Sequence, residues 1–196
     1  MARSPERKRI IVAITGATGA QIGIQILKTL RGLNVETHLI ISKWAGETIK
    51  YETDYTTATV RALADYSYNA HDLAAPISSG SYKVDGMIIA PCSVKTLAAI
   101  NAGICDDLIT RAADVCLKER RRVVLSVRET PLSEIHLRNM LDVSRAGAII
   151  APPVMALYTR PSSIEDVITQ MVGRLLDLFD LDARNFERWE GMQKEV

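Results

Sequence analysis

The chain carries almost no net charge: Lys and Arg number 24 against 23 Asp and Glu, leaving +1. Without an excess of one sign there is no global field to hold a polyanion or an anionic membrane, which argues against nucleic acid and membrane as partners. Cysteine is scarce. Cys92, Cys105 and Cys116 are odd in number and lack C-x-x-C spacing, so neither a disulfide framework nor a zinc site is expected, and a reducing cytoplasm fits best. A long apolar run is missing too. The uncharged stretch from Ile10 to Leu27, which follows Arg3, Arg7, Lys8 and Arg9, is broken by Thr15-Gly16-Ala17-Thr18-Gly19 and carries Gln21, Gly23 and Gln25. It reads as strand, turn and helix rather than signal peptide or membrane span. His38, His71 and His136 show no metal-type spacing and receive no role. There is no internal repeat and no low-complexity segment.

What is present is a globular composition, 47% hydrophobic and 24% charged over 196 residues, enough for one compact domain. Short β-branched runs at Ile10 to Ile14, Val35 to Ile41, Met87 to Ala90, Val123 to Val127 and Ala148 to Ala151 read as buried strands. Between them, residues 20–31, 44–51, 93–101, 106–119 and 133–144 repeat at helical period. Alternating strands and helices predict an α/β fold, a three-layer doubly wound (Rossmann/flavodoxin-like), mostly parallel sheet in a single domain, 1–196. The run from Asp65 to Lys83 lacks periodicity and reads as a long excursion with a Gly/Ser tip. A last helix begins at Ser162-Ser163, with Ile164, Val167, Ile168, Met171, Val172, Leu175 and Phe179 on its core face. The tail, 181–196, with Phe186 and Trp189 among charges, is expected either to fray or to cover a neighbouring subunit.

Thr15-Gly16-Ala17-Thr18-Gly19-Ala20 ends the first strand and opens a helix, where free backbone N–H groups and the helix dipole favour a phosphate-bearing cofactor; a tight turn alone explains the glycines too. Short-chain dehydrogenases also carry T-G-A-T-G, but no Tyr here is followed four residues later by Lys. Ser42-Lys43 and Pro91-Cys92-Ser93-Val94-Lys95-Thr96 end two further strands, where ligands of open α/β sheets sit; Ser93 also suits an ordinary helix cap. Arg111 and Lys118 fall about 20° apart around a helix, which suits a phosphate site and an exposed ion-pair ladder equally. Arg128-Glu129 ends the Val123 to Val127 strand, better placed for a ligand than for packing. Arg174 borders the apolar stripe of the last helix. Arg120-Arg121-Arg122 is expected to close a helix and complement its dipole.

Together, T-G-A-T-G-A, I-S-K, Y-E-T-D, I-S-S-G-S, P-C-S-V-K-T-L, R-A-A-D-V-C-L-K-E-R-R, V-R-E-T-P-L and P-P-x-x-A-x-Y-x-R-P resemble the UbiX/Pad flavin prenyltransferase family, over nearly the whole chain from Ile10 to Trp189. The resemblance implies transfer of a dimethylallyl group from dimethylallyl monophosphate to reduced FMN, at the flavin N5 nitrogen and C6 carbon, making prenylated FMN for a UbiD-type decarboxylase. It implies FMN held by Gly16, Ala17, Thr18, Ser42, Ser93, Val94, Lys95, Thr96 and Arg128. The prenyl phosphate would meet Ser79, Gly80, Ser81, Arg111, Lys118, Glu129, Tyr158 and Arg174, part of them from neighbouring subunits. Glu129 would give the phosphate a proton, with Thr18 and Glu52 assisting proton transfer.

No metal is expected: Asp106-Asp107 is followed by Leu-Ile-Thr, unlike the aspartate-rich magnesium motif of many prenyl-diphosphate enzymes, so Arg and Lys would neutralise the phosphate. Members of the family commonly form dodecamers, and many carry Ser where this chain has Thr18. Ser42 to Ala45 looks closer to members associated with hydroxyarylic acid decarboxylases than to ubiquinone-pathway ones. Two alternatives compete. An FMN-dependent cysteine decarboxylase shares P-x-S-x-x-T but needs a P-x-M-N-x-x-M stretch, where this chain has Arg128-Glu129-Thr130-Pro131-Leu132. A non-catalytic FMN-binding partner subunit would leave most of the cations without a task, since FMN brings one phosphate.

Overall fold

The computed structural model describes residues 7–192; Arg3 and the last four residues of the tail lie outside them. The elements run β1 (Arg9–Ile14), α1 (Ala20–Gly32), β2 (Glu36–Ile41), α2 (Lys43–Glu52), α3 (Thr57–Arg61), β3 (Tyr66–Asn69), a 3-10 turn (Pro76–Ser78), β4 (Gly86–Cys92), α4 (Val94–Asn101), α5 (Leu108–Lys118), β5 (Arg122–Val127), α6 (Glu134–Arg145), β6 (Ile149–Ile150) and α7 (Ile164–Asp177). All six strands are parallel, in the order β3-β2-β1-β4-β5-β6. The strand order reverses between β1 and β4, which opens a crevice at their carboxyl ends.

The alternation of β1 explains the three layers. Ile10, Val12 and Ile14 pack on one side with α1 and α7, whereas Ile11 and Ala13 pack on the other with α4 and α5. Every residue from Ile10 to Ile14 is fully buried, as a central parallel strand covered on both faces must be. Gly23 lets α1 lie against the sheet: a Cβ there would strike the carbonyl of Ala90 and come within 2.8 Å of Ile14 Cγ1.

Helix boundaries follow local chemistry. Ser42, Ser93, Asp107, Ser133 and Ser163 each accept a backbone N–H at the start of α2, α4, α5, α6 and α7. Five helices end alike, with a left-handed residue at Asn34, Gly103, Arg120, Gly147 and Asp180. In each, the next N–H returns to a carbonyl five residues back; Arg121 to Cys116, at 2.8 Å, is the α5 case.

Several expectations need correction. The stretch from Asp65 to Lys83 contains β3, the sheet's edge strand, and the 3-10 turn, so there are six strands rather than five, and the five-residue helix α3 has no counterpart in the sequence reading. Ile164 is 76% exposed and lies off the core face of α7, which Ile168, Met171, Val172, Leu175 and Leu176 form with Phe179 just beyond it. Arg120 and Arg121 follow α5 as its terminator, and Arg122 opens β5. The described part of the tail lies along its own α7. Glu187 exchanges hydrogen bonds with Gln170, and Arg188 pairs with Asp177 at 2.8 Å.

Instead of a helix, the segment after β3 covers one face of β2. There His38, fully buried, meets the Tyr68 hydroxyl through Nδ1 and the Glu36 carboxylate through Nε2, each at 2.9 Å. Tyr66 stacks on its ring, and Tyr82 meets it edge-on at 5.5 Å. This histidine is a core group with satisfied ring nitrogens.

Candidate active site

Thr15 ties the crevice together. Its N–H and its hydroxyl both donate to the Pro91 carbonyl, at 3.2 and 2.8 Å, and its Oγ1 accepts the Ser93 N–H at 2.8 Å. The turn after β1 is thereby fastened to the start of α4 across the switch point. Around it stand the ends of four adjacent strands, β2, β1, β4 and β5, presenting Ser42, Gly16 to Thr18, Ser93 to Thr96, and Arg128.

The donors there are partly committed. Ser42 Oγ accepts the Ala45 N–H at 3.1 Å, and Ser93 Oγ accepts the Thr96 N–H at 3.3 Å and lies 3.1 Å from Thr96 Oγ1. Both hydroxyls keep capacity for a ligand while capping. The exposed Thr18 hydroxyl and the exposed Arg128 guanidinium have no hydrogen-bond partner among the described residues. Lys95 reaches Asp107 at 3.9 Å.

The N-terminus of α1 is not free for a phosphate. Glu52, at the end of α2, accepts the N–H groups of Gly19 and Ala20 through Oε2, at 2.8 and 3.1 Å. The expected anion at this helix start is thus the chain's own carboxylate, and Thr18 and Glu52 are brought together by it. The Gly16 turn is close-packed as well: a Cβ on Gly16 would come 2.6 Å from Trp44 Cβ. Trp44, 70% exposed, flanks the turn, and none of the sequence motifs assigns it a role. Its signal was a large apolar side chain at the first turn of a helix beginning on a strand's carboxyl end.

Apart from Glu129, the remaining candidates do not join this crevice within one protomer. Leu108 N–H donates to the Ala70 carbonyl at the end of β3, so α5 starts near the carboxyl edge of the sheet and descends to the opposite edge, where β5 begins. Arg111 stands in its first turn and Lys118 at its far end, about 10 Å lower along the axis. Arg111 Nε donates to the Ser78 carbonyl at 3.1 Å and Nη1 pairs with Asp114 at 2.9 Å. Lys118 pairs with Glu119, and a Cβ on Gly80 would come within 2.9 Å of its Nζ. Ser79, Gly80, Ser81, Arg111 and Lys118 therefore form a second cluster, on the α5 face.

A third group sits beyond β6. Tyr158 packs edge-on against Trp189 at 5.3 Å, and its hydroxyl is 3.1 Å from Gln170 Nε2. Arg174 pairs with Asp177 at 2.9 Å and borders a groove of about 290 Å³ lined by Ile150, Pro152, Val154 and Met171. Glu129 stays at the crevice edge next to Arg128, with Oε1 accepting the Thr130 N–H at 2.9 Å.

Burial pushes the Cys92 thiol, beside the crevice, up to about 12, so it stays protonated and unreactive. Among the described residues no three His, Cys, Asp or Glu side chains are grouped to hold a metal, and no helix is long and apolar enough to cross a membrane.

Comparison with known proteins gives a consistent picture. The Flavoprotein family model matches residues 2–176. The flavin prenyltransferase PAD1, mitochondrial, of Saccharomyces cerevisiae is 58% identical over 191 residues, covering 97% of this chain and 79% of that protein. The crystal structure of AnUbiX (PadA1) in complex with FMN and dimethylallyl pyrophosphate is 68% identical with a TM-score of 0.95, over 96% of this chain and 100% of that one. A dodecameric FMN-dependent UbiX-like decarboxylase from Escherichia coli O157:H7 is 53% identical with a TM-score of 0.92, over 93% and 100%.

Proposed function

From the premise that this chain belongs to the Flavoprotein family and is a flavin prenyltransferase, we propose that its FMN lies across the carboxyl ends of β2, β1, β4 and β5. The observation that carries this is the Thr15 staple, which fastens the Gly16 to Thr18 turn to Ser93, while the Arg128 N–H, bonded to the Cys92 carbonyl, brings the end of β5 to the same crevice. The donor set fits FMN: hydroxyls and backbone amides suit a hydroxylated chain, and Arg128 suits a phosphate or a flavin carbonyl. Gly16, Ala17, Thr18, Ser42, Ser93, Val94, Lys95, Thr96 and Arg128 are the residues assigned to it.

Reduced FMN supplies the nucleophilic nitrogen, and dimethylallyl monophosphate the electrophilic allylic carbon. Arg111, Lys118 and Arg174 carry the charge that stabilises oxygens as the carbon–phosphate oxygen bond breaks, which preorganised cations do without a metal. Ser79, Gly80, Ser81 and Tyr158 position that phosphate, and Glu129 holds the proton it receives. Thr18 and the free Oε1 of Glu52 move the proton released on ring closure. Because these groups occupy three faces of one protomer, the complete site joins the crevice of one copy to the α5 face or the Tyr158 region of another. The exposed apolar side chains of Ile135, Leu137 and Leu141 on α6, and of Val154, Met155 and Leu157, supply faces for such a homo-oligomer, a dodecamer by its relative's example.

The product serves a UbiD-type decarboxylase, and the protein works in the cytoplasm, where unpaired Cys92, Cys105 and Cys116 stay reduced. The cysteine decarboxylase and carrier alternatives are not favoured by relatives at this identity. The test is anaerobic incubation with reduced FMN and, separately, dimethylallyl monophosphate or diphosphate, followed by the mass of the released flavin. A gain of one dimethylallyl unit with the monophosphate, and activation of an apo-decarboxylase by that flavin, is expected. An unchanged flavin beside a working relative overturns the reading.

A further inference from the structure

Arg121 belongs to a run that sequence reasoning assigns to helix-dipole compensation, yet its side chain turns back on the loop that precedes β4. Nη2 donates to the Gly80 carbonyl at 2.6 Å and Nη1 to the Tyr82 carbonyl at 2.9 Å. The Gly80 carbonyl belongs to the peptide that enters Ser81 and the Tyr82 carbonyl to the peptide that leaves Tyr82, so one planar fork clamps the chain on either side of the Ser81-Tyr82 pair. The fork's own origin is fixed, because the α5 terminator returns the Arg121 N–H to the Cys116 carbonyl.

Other contacts complete a frame around the two serines. Ser79 Oγ lies 2.9 Å from Ser81 Oγ, which sets both hydroxyls relative to each other. Arg111 holds the Ser78 carbonyl on the upstream side. Downstream, the Tyr82 ring is held between His38, edge-on, and the Arg9 guanidinium, each 5.5 Å away. Gly80 lies against the ends of the Lys118 and Glu119 side chains, which a Cβ there would have to displace. Arg121 is the element of this frame that spans the tip of the loop.

We propose that Arg121 is a positioning residue for prenyl phosphate: it does not touch the phosphate but holds Ser79 and Ser81 in the geometry that does. This rests on the reading that the 79–81 loop meets the phosphate. A compact charge at the same place would not serve, since a lysine ammonium cannot hold two carbonyls in a fixed plane as the guanidinium does.

The test is steady-state kinetics of the intact protein with dimethylallyl monophosphate and reduced FMN varied in turn. Arg121→Met should raise KM for the prenyl phosphate by about tenfold or more, a cost typical of a mispositioned binding group. KM for reduced FMN should stay at the wild-type value. Arg121→Lys, which keeps the charge and folds if the apolar variant does not, should show the same selective rise at a smaller size. Arg120→Met, which removes a neighbouring charge, should change neither. The combined Ser79→Ala, Ser81→Ala variant should raise the same KM, and adding Arg121→Met to it should cost less than about a further twofold, because the two act as a unit. Arg121→Lys at the wild-type KM, or full additivity with the serine variants, overturns the positioning role alone. An unchanged KM in the serine variant overturns the assignment of the loop to the phosphate, and the positioning role with it.

Discussion

Glu52 and Gly19 are joined by a hydrogen bond of 2.8 Å from the Gly19 N–H to Oε2, and the same oxygen takes the Ala20 N–H. A glycine N-cap offers no side chain of its own, so the last residue of α2 caps α1 in its place. The carboxylate expected to move protons is thereby also a structural group, and its two tasks predict different responses.

Glu52→Ala should lower stability by about 1 kcal/mol, the usual cost of losing a cap, read as a lower urea midpoint. Glu52→Gln keeps an acceptor for the two N–H groups and should lose less than half of that, while slowing prenyl transfer as much as the alanine variant does. Turnover at the wild-type rate in Glu52→Gln would leave capping as its whole function.

Gly16→Ala places a methyl group 2.6 Å from Trp44 Cβ. The turn or the first residues of α2 must give way, and FMN affinity should fall by about tenfold, as small displacements at a preorganised site cost. Trp44→Gly removes the obstructing atom and should restore most of the affinity in the double variant. Flavin fluorescence titration reads both, and a double variant no better than Gly16→Ala would refute the steric account.

Arg120 ends α5 in the left-handed region, with φ of 56°. A side chain there costs about 1 kcal/mol that glycine avoids. Allowing for glycine's greater freedom in the unfolded chain, Arg120→Gly should stabilise by about 0.5 kcal/mol with an unchanged denaturant slope. Arg121 sits in the next position of the same terminator, so prenyl transfer should persist.

Burial holds the pKa of His38 below its ordinary 6.5, and does so against the Glu36 carboxylate, which raises it; Arg9 lowers it further and Asp65 opposes. Tyr66, Tyr68 and Tyr82 complete its surroundings. As pH falls through 6.5 the unfolded chain takes up a proton that the folded chain refuses, so stability present at neutral pH is lost progressively toward the folded pKa. Urea midpoints at about pH 7.5 and about pH 5.5 should differ in the wild type and converge in His38→Asn. An equal difference in both proteins would assign the pH dependence elsewhere.

The central strands were legible because both their faces are buried: Ile10 to Ile14 and Val123 to Val127 are near-continuous apolar runs bounded by turn residues. Edge strand β3, Tyr-Ser-Tyr-Asn, pairs only with β2 and is largely exposed, so it carries no such run. The Ser93 and Ser162-Ser163 caps fall within about two residues of the starts of α4 and α7. Of the site, the crevice could be read because its residues fall at strand ends, which the topology gathers on one edge. Glu52 could not be read as a cap, since its partners lie 33 and 32 positions away. Nor could the role of Arg121, whose two carbonyls have no side-chain signature at all. Residues at 79–81, 111, 118, 158 and 174 share a motif order but not a face, and motif order says nothing about which copy of the chain each serves.

The strand order also bears on how the chain is made. Residues up to Asn69 can assemble β3, β2 and β1, but β1 then has one side unpaired until Gly86–Cys92 arrives. At ribosomal speed that wait is about one to five seconds, long compared with hydrophobic collapse. During it the most apolar strand of the protein offers its open edge to any other nascent chain. Productive synthesis therefore depends on shielding that edge during translation, and overexpression that outpaces chaperones should deposit this protein as aggregate assembled through β1.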